Sequence, residues 1–344
     1  MKSKVGAIAV LGLSFSALAG TYGPVKVVDL GPTTTLDATG YGALSDHGEL
    51  AGYTFPDSHS RAAYSGHVTM FGSVGGDYAQ ANAISESGEV IGYSYLTGNT
   101  GYHATLFEKH GPKDLGTLGG DDSIAYAINN EGRIAGLSTL TPGDRAFHAV
   151  IFSPHNVPAV DLGTLGGNNS AAFALNEKSI AVGMSSLPGD VIYHAALFTT
   201  HSLPLDLGTL GGNASEAHAI NEHGLIVGYS TLLNQEGTTH AALFRRGGSP
   251  ADLGTLGGPT SQAVGINDKG LIVGFADTVH GQPHAVIWRE VNGSWIATDI
   301  NALIDPTSGW TIDFAYGINN RGVIEAIGRN ADDVEHTLLL SLPK

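Results

Sequence analysis

Residues 204–230 read PLDLGTLGGNASEAHAINEHGLIVGYS, and residues 240–244 follow with HAALF. The heptapeptide DLGTLGG occurs four times, beginning at Asp114, Asp161, Asp206 and Asp252, so successive copies lie 47, 45 and 46 residues apart. A period near 45 marks a repeat architecture, and the other pieces of the unit recur in the same order. The AIN-like piece appears as GALS (42–45), NAIS (82–85), YAIN (126–129), FALN (173–176), HAIN (218–221), VGIN (264–267) and YGIN (316–319). Seven IVG-like pieces, from ELAGY to VIEAI, and seven HAALF-like pieces, from RAAYS to HTLLL, accompany them.

Each piece is four to seven residues long, rich in Ile, Val, Leu and aromatics, and bounded by Gly, Asn or Asp. That is the pattern of strands and turns. Between the AIN and IVG pieces sits N-E-x-G or a variant, a tight hairpin whose positive φ falls to glycines such as Gly132, Gly224 and Gly270. No window sustains a 3.6-residue apolar period, so no helix is expected. DLG-like pieces follow six of the HAALF pieces, and the seventh, KVVDLG (26–31), precedes the first AIN piece. The chain therefore predicts an all-β fold, a seven-bladed β-propeller of four-stranded antiparallel blades. The ring is closed by the N-terminal strand pairing with the C-terminal blade, which removes two exposed sheet edges. A β-sandwich would need alternating polar faces, and a parallel β-helix a shorter period.

In such a ring GTLGG is the step from the outer strand of one blade to the inner strand of the next, with glycine for sharp turns and leucine to fill the gap. A phosphate-binding loop would need GxxxxGK[ST] or GxGxxG between a strand and a helix, and neither is present.

The first nineteen residues are of another kind. Lys2 and Lys4 precede VGAIAVLGLSFSALA, and Ala17-Leu18-Ala19 has the small-x-small form of a signal peptidase site. Residues 1–19 are read as a secretory signal peptide and 20–344 as a single propeller domain. A retained anchor would need about 20 apolar residues, more than this run offers. Loss of the two lysines takes the formal charge from −16 to −18. Such a surface repels nucleic acid and anionic lipid, so neither nucleic acid nor, after signal removal, membrane is an expected partner. Cysteine is absent. A secreted, periplasmic or extracellular chain of this kind holds together by burial and hydrogen bonding alone, and a monomer is expected.

His103, His148, His194, His240, His284 and His336 recur once per unit, with Arg61 at that place in the first. Neighbouring sheets pack ~10 Å apart, so one histidine per blade does not converge on an ion. A structural hydrogen bond to a loop, or to an aspartate of the outer strand, is expected of each. The asparagines of AIN and the Glu, Asn or Asp after them read as turn formers. Asp77, Asp121 and Asp122, with Asn168, Asn169 and Asn213, follow the GG step on the opposite end, where oxygen ligands for calcium are conceivable. The loops between IVG and HAALF pieces vary most and share that end. They carry His59, Tyr95, Tyr102, Tyr193 and His280, which with the three aspartates form the candidate ligand-binding set. No catalytic residues and no metal ligands are assigned.

On HATLF, HAVIF, HAALF and HAVIW, together with DLGTLGG and AIN, the chain resembles the HAF-repeat family of probable extracellular bacterial proteins, over residues 26 to about 340. It departs from the His-Ala-Phe core in having Ala, Val or Thr as the third residue, and its first and last units are degenerate. The resemblance implies export and a repeat fold, and supplies no catalytic residues. The leading expectation is a secreted, non-enzymatic propeller that binds carbohydrate or an extracellular protein. A polysaccharide lyase or hydrolase on the same scaffold, or a purely structural surface protein, are the alternatives, and fold alone does not choose among them.

Overall fold

The computed structural model describes residues 25–32, 43–54, 61–64, 69–108, 110–154 and 157–342. The expected signal peptide and His59 lie outside these. Among the described residues every ladder between strands is antiparallel, two isolated bridges, Leu210–Leu232 and Leu256–Thr278, are parallel, and the helical content is two 3₁₀ turns, Thr97–Asn99 and Ile300–Ala302.

Seven sheets follow one another round a ring. Each consecutive pair is in contact, and the last meets the first through bonds from Asn319 and Asn320 to Ser45 and Asp46. In the fifth sheet the inner strand Gly211–Ile220 pairs with Ile226–Leu232, then Gln235–Phe244, then the outer Ala251–Asp252. The closing sheet takes its outer strand from the other end of the chain. Lys26–Pro32 pairs with Glu335–Ser341, with Val27 opposite Leu340 and Asp29 opposite Leu338.

One expectation is corrected. Among the described residues six sheets have four strands, not seven; the remaining sheet has three, Ala51–Thr54, Arg61–Tyr64 and Thr69–Met70. Where its inner strand is expected, an isolated bridge joins Leu44 to Leu50, and residues 33–42 before it lie outside the described residues.

The core is divided among the interfaces. Seven clusters of buried side chains each bridge neighbouring sheets, such as Ile151 with Phe198, Phe244 with Val182, and Leu50 with Leu339. The last residue of the HAALF piece anchors this packing: Phe152, Phe198, Phe244 and Trp288 are all fully buried. Each such side chain contributes about 1.5–3 kcal/mol by removal from water.

Polar links fasten the same interfaces. At each AIN turn the asparagine serves two blades. Asn221 Oδ1 accepts from the backbone N–H of His223 and Leu225 at 3.0 Å, closing a turn in which Gly224 has φ 78°. Its Nδ2 donates to Asn267 O of the next sheet at 3.1 Å. The residue after each of these asparagines, and after Ser45 and Ser85 in the first two units, continues the chain of contacts. Backbone N–H groups of Asp46, Glu86, Asn130, Glu177, Glu222, Asp268 and Asn320 each donate to the side chain of the next in that series. Asn320 donates to Asp46 at 2.6 Å, so seven N–H···O bonds close a full circle.

Candidate ligand-binding site

A propeller offers two ends. At the AIN-turn end the central channel opens into a cavity of about 300 Å³ whose rim carries Asp46, Glu86, Glu177, Glu222 and Asp268. These carboxylates accept the N–H groups of the circle just described, which gives them a structural role. At the other end lie the GG steps and the variable loops, and there the blades differ from one another.

The second sheet stands apart. Tyr93 and Tyr95 alternate along the strand Val90–Tyr95 and so share a face. Tyr102, first residue of Tyr102–Glu108, lies opposite Tyr95 in register. Tyr78 precedes the inner strand Ala79–Ile84, and its carbonyl accepts from Tyr95 N at 2.9 Å. The four rings form one cluster: Tyr78 lies 5.7 Å from both Tyr93 and Tyr95, and Tyr102 lies 5.5 Å from Tyr93 and 5.6 Å from Tyr95. The phenols of Tyr78 and Tyr93 both donate to Gln80 Oε1 at 3.0 Å. Tyr78, Tyr93, Tyr95 and Asn99 line a cleft of about 240 Å³. All four tyrosines are half-buried.

No other sheet has more than one tyrosine at the four equivalent positions. The third has Asp122, Leu137, Thr139 and Phe147; the fourth has Asn169, Met184, Ser186 and Tyr193; the fifth has Ala214, Tyr229, Thr231 and Thr239. The repeat scaffold does not require tyrosine at these places. Packing of the ring therefore does not account for the cluster.

Burial pushes the Tyr93 and Tyr102 phenols up, helped for Tyr93 by the Tyr78 hydrogen bond and for Tyr102 by the Asp122 charge. Tyr126 of the third sheet, in edge contact with Phe173, is pushed up to about 12 by burial, with Tyr102 and Glu216 adding to it. These hydroxyls remain neutral donors. The cleft is thus a surface of tyrosine rings edged by hydroxyls and amides.

The aspartates singled out in the sequence serve the loops around the cleft. Asp77 exchanges two bonds with Asn99, its N–H donating to Oδ1 at 3.0 Å and its Oδ2 accepting from Nδ2 at 3.1 Å. Asp121 accepts from Gly143 N, and Asp122 from Tyr102 N. Tyr95 and Tyr102 come together; Tyr193 lies on the fourth sheet and exposed His280 at a loop tip of the sixth. Among the described residues no group of three or more His, Asp and Glu is placed to hold a metal ion. Sequence reasoning passed over Tyr78, Gln80, Tyr93 and Asn99. Tyr93 belongs to the recurrent IGY piece, which concealed it, whereas the run of four tyrosines from 78 to 102 was a usable signal.

The six recurrent histidines each meet the outer-strand aspartate of their own sheet through Nδ1. The pairs are His103–Asp114, His148–Asp161, His194–Asp206, His240–Asp252, His284–Asp299 and His336–Asp29, at 2.7–2.9 Å. Five of the aspartates also accept an N–H from the glycine two residues on, and Asp299 accepts one from Asn301.

No family model and no curated protein matches the chain. Among solved structures, TolB from Acinetobacter baumannii is similar with a TM-score of 0.46 and 14% identity, over 74% of this chain and 64% of that chain. The chain thus spans less than two thirds of that protein's length, and a likeness of this degree bears on nothing beyond general shape.

Proposed function

We propose that this chain is an exported, non-enzymatic binding propeller of the HAF-repeat kind, freed of residues 1–19, that takes a neutral carbohydrate in the tyrosine cleft of its second blade. In this reading residues 43–45 complete the first sheet as a seventh blade, and the protein acts as a monomer. The observation that carries the proposal is the clustering of Tyr78, Tyr93, Tyr95 and Tyr102 at positions the repeat fills with other residues. A pyranose ring presents a C–H face and an equatorial belt of hydroxyls, which suit a half-buried aromatic face edged by Asn99 and Gln80. The loop from Tyr95 to Tyr102 holds no charged residue, and the net charge of −18 left after loss of Lys2 and Lys4 disfavours polyanions, so the glycan is uncharged.

The test is titration calorimetry against a panel of neutral and acidic soluble polysaccharides, with oligosaccharide release followed in parallel. Tyr95→Ala and Tyr102→Ala should each weaken binding of a neutral glycan about tenfold. Tyr193→Ala, on the fourth blade, should leave it unchanged. Binding indifferent to both cleft variants would overturn the site, and release of oligosaccharide would replace binding with lyase or hydrolase activity.

A further inference from the structure

The loops on the same end of the fourth to seventh blades share a feature that the second and third lack. Each lifts one aliphatic side chain into solvent at its tip. Val191 is 85% exposed, Leu233 64%, Val279 70% and Val334 42%. Single exposed aliphatics are ordinary, but here four successive blades each carry one in the loop between the second and third strands, all at the same end of the ring. The tips are held in place. Asp190, Asn234 and Asp333 sit in the left-handed region at their turns. Leu233 packs over Gly211 and Val279 over Gly257, so closely that a Cβ on Gly257 would meet Val279 Cγ1 at 2.6 Å. Glycine at the GG step therefore leaves room for Leu233 and Val279, and these two tips are pre-organised, which lowers the entropy cost of docking.

Charge follows the same division. Loops 186–193, 231–239, 277–283 and 329–335 hold six carboxylates and one arginine, Arg329. That arginine is occupied by buried Asp313 at 2.8 Å and by Asp333 at 3.6 Å. Loops 95–102 and 139–147 of the second and third blades together hold one aspartate and one arginine. The end of the propeller is thus half neutral and aromatic, half acidic and aliphatic.

We infer that this acidic aliphatic arc docks a protein surface in which aliphatic side chains alternate with lysine or arginine. Carboxylates beside each tip disfavour a bilayer, whose cytoplasmic or anionic headgroups repel them, and also a second copy of this acidic chain. Against a basic partner the same carboxylates steer encounter, and the four tips supply the apolar contacts that hold it. The inference is independent of the tyrosine cleft.

Fluorescence anisotropy of the full chain with three labelled peptides tests it: alternating lysine and leucine, lysine and serine, glutamate and leucine. The lysine–leucine peptide should bind, and the other two about tenfold more weakly or worse. Replacing all four tips, Val191→Ser, Leu233→Ser, Val279→Ser and Val334→Ser, should weaken lysine–leucine binding about tenfold or more. These side chains are exposed, so the melting temperature should hold and exclude misfolding as the cause. Asp332→Asn with Asp333→Asn should weaken binding and flatten its salt dependence. Tyr95→Ala should change nothing. Equal binding of the lysine–serine peptide, indifference to the four serines, or capture by neutral or anionic vesicles lost in the serine variant would each overturn the inference.

Discussion

A single glycine in the second strand of every sheet but the closing one sets how that sheet can pair. The inner strand of the fifth sheet skips His218 between Ala217 and Ala219, and this bulge brings Glu216 O over the Gly228 Cα. A Cβ there would lie 1.9 Å from that oxygen, and Gly92, Gly136, Gly183 and Gly274 meet the same obstruction within 2.0 Å. The closing sheet carries Ala326 instead, and its facing strand has a second register shift between Ile312 and Phe314. Gly228→Ala should therefore cost about 1–3 kcal/mol, as overpacking against backbone that has nowhere to go. Gly237→Ala is the control: φ is 77° but nothing lies within 4 Å, so only local strain of about 1 kcal/mol is expected. Thermal melting of both variants decides it, and equal losses would mean that the bulge is not the constraint. Sequence alone identified IVG as a strand but gave no reason for its glycine, because the obstruction belongs to the pairing and neither strand shows it alone.

At the scale of elements, the strand Lys26–Pro32 is the one whose removal opens the ring. It pairs from Lys26 with Ser341 to Asp29 with Leu338, and its Asp29 takes the Nδ1 bond of His336 at 2.7 Å. Val25 N adds a bond to Leu303 O at 3.0 Å. Deleting residues 20–31 should lower the melting temperature sharply, since each ladder bond contributes about 0.5–1.5 kcal/mol and total stabilities are only about 5–15 kcal/mol. A cooperative melt at the same temperature would show that the ring does not depend on this closure. The closing strand was legible because KVVDLG is an outer piece with no inner piece before it. Seven AIN pieces likewise gave the order of the sheets, and the first of them, GALS, reaches its neighbouring strand through the bridge from Leu44 to Leu50. The tyrosine cleft was half legible: Tyr95 and Tyr102 fall in a variable loop, whereas Tyr78 and Tyr93 reach it from elements that read as scaffold.

For the whole molecule, two sets of carboxylates respond to acid in opposite directions. Burial raises the Asp29 and Asp114 carboxyls. The histidine hydrogen bond, the N–H of Gly31 or Gly116 and the histidine charge outweigh that, so both end below the usual range. A depressed folded value means stability that is present above the unfolded value, near pH 4, and is lost as pH falls through the folded one. Glu177 in the carboxylate circle goes the other way. Burial raises it, the Asn130 N–H opposes this, and the charges of Glu222, Glu131 and Glu86 carry it upward. A raised folded value means a cost at neutral pH that disappears as pH falls towards the unfolded value. The melting temperature should therefore climb slightly from pH 7 towards pH 5, as Glu177 takes up its proton, and then fall below about pH 4 as Asp29 and Asp114 lose their charge. Glu177→Gln should keep an acceptor for Asn130 while removing the repulsion. It should raise stability at pH 7 and low salt by less than about 1 kcal/mol, because the site is partly exposed and screened. The same variant should flatten the climb between pH 7 and pH 5 and leave the acid fall intact. Asp114→Asn should instead lower stability at neutral pH and soften the acid fall. If Glu177→Gln melts below the parent at pH 7 in low salt, the circle stabilises the ring as a set of charges, and the repulsion between its members is not what limits it.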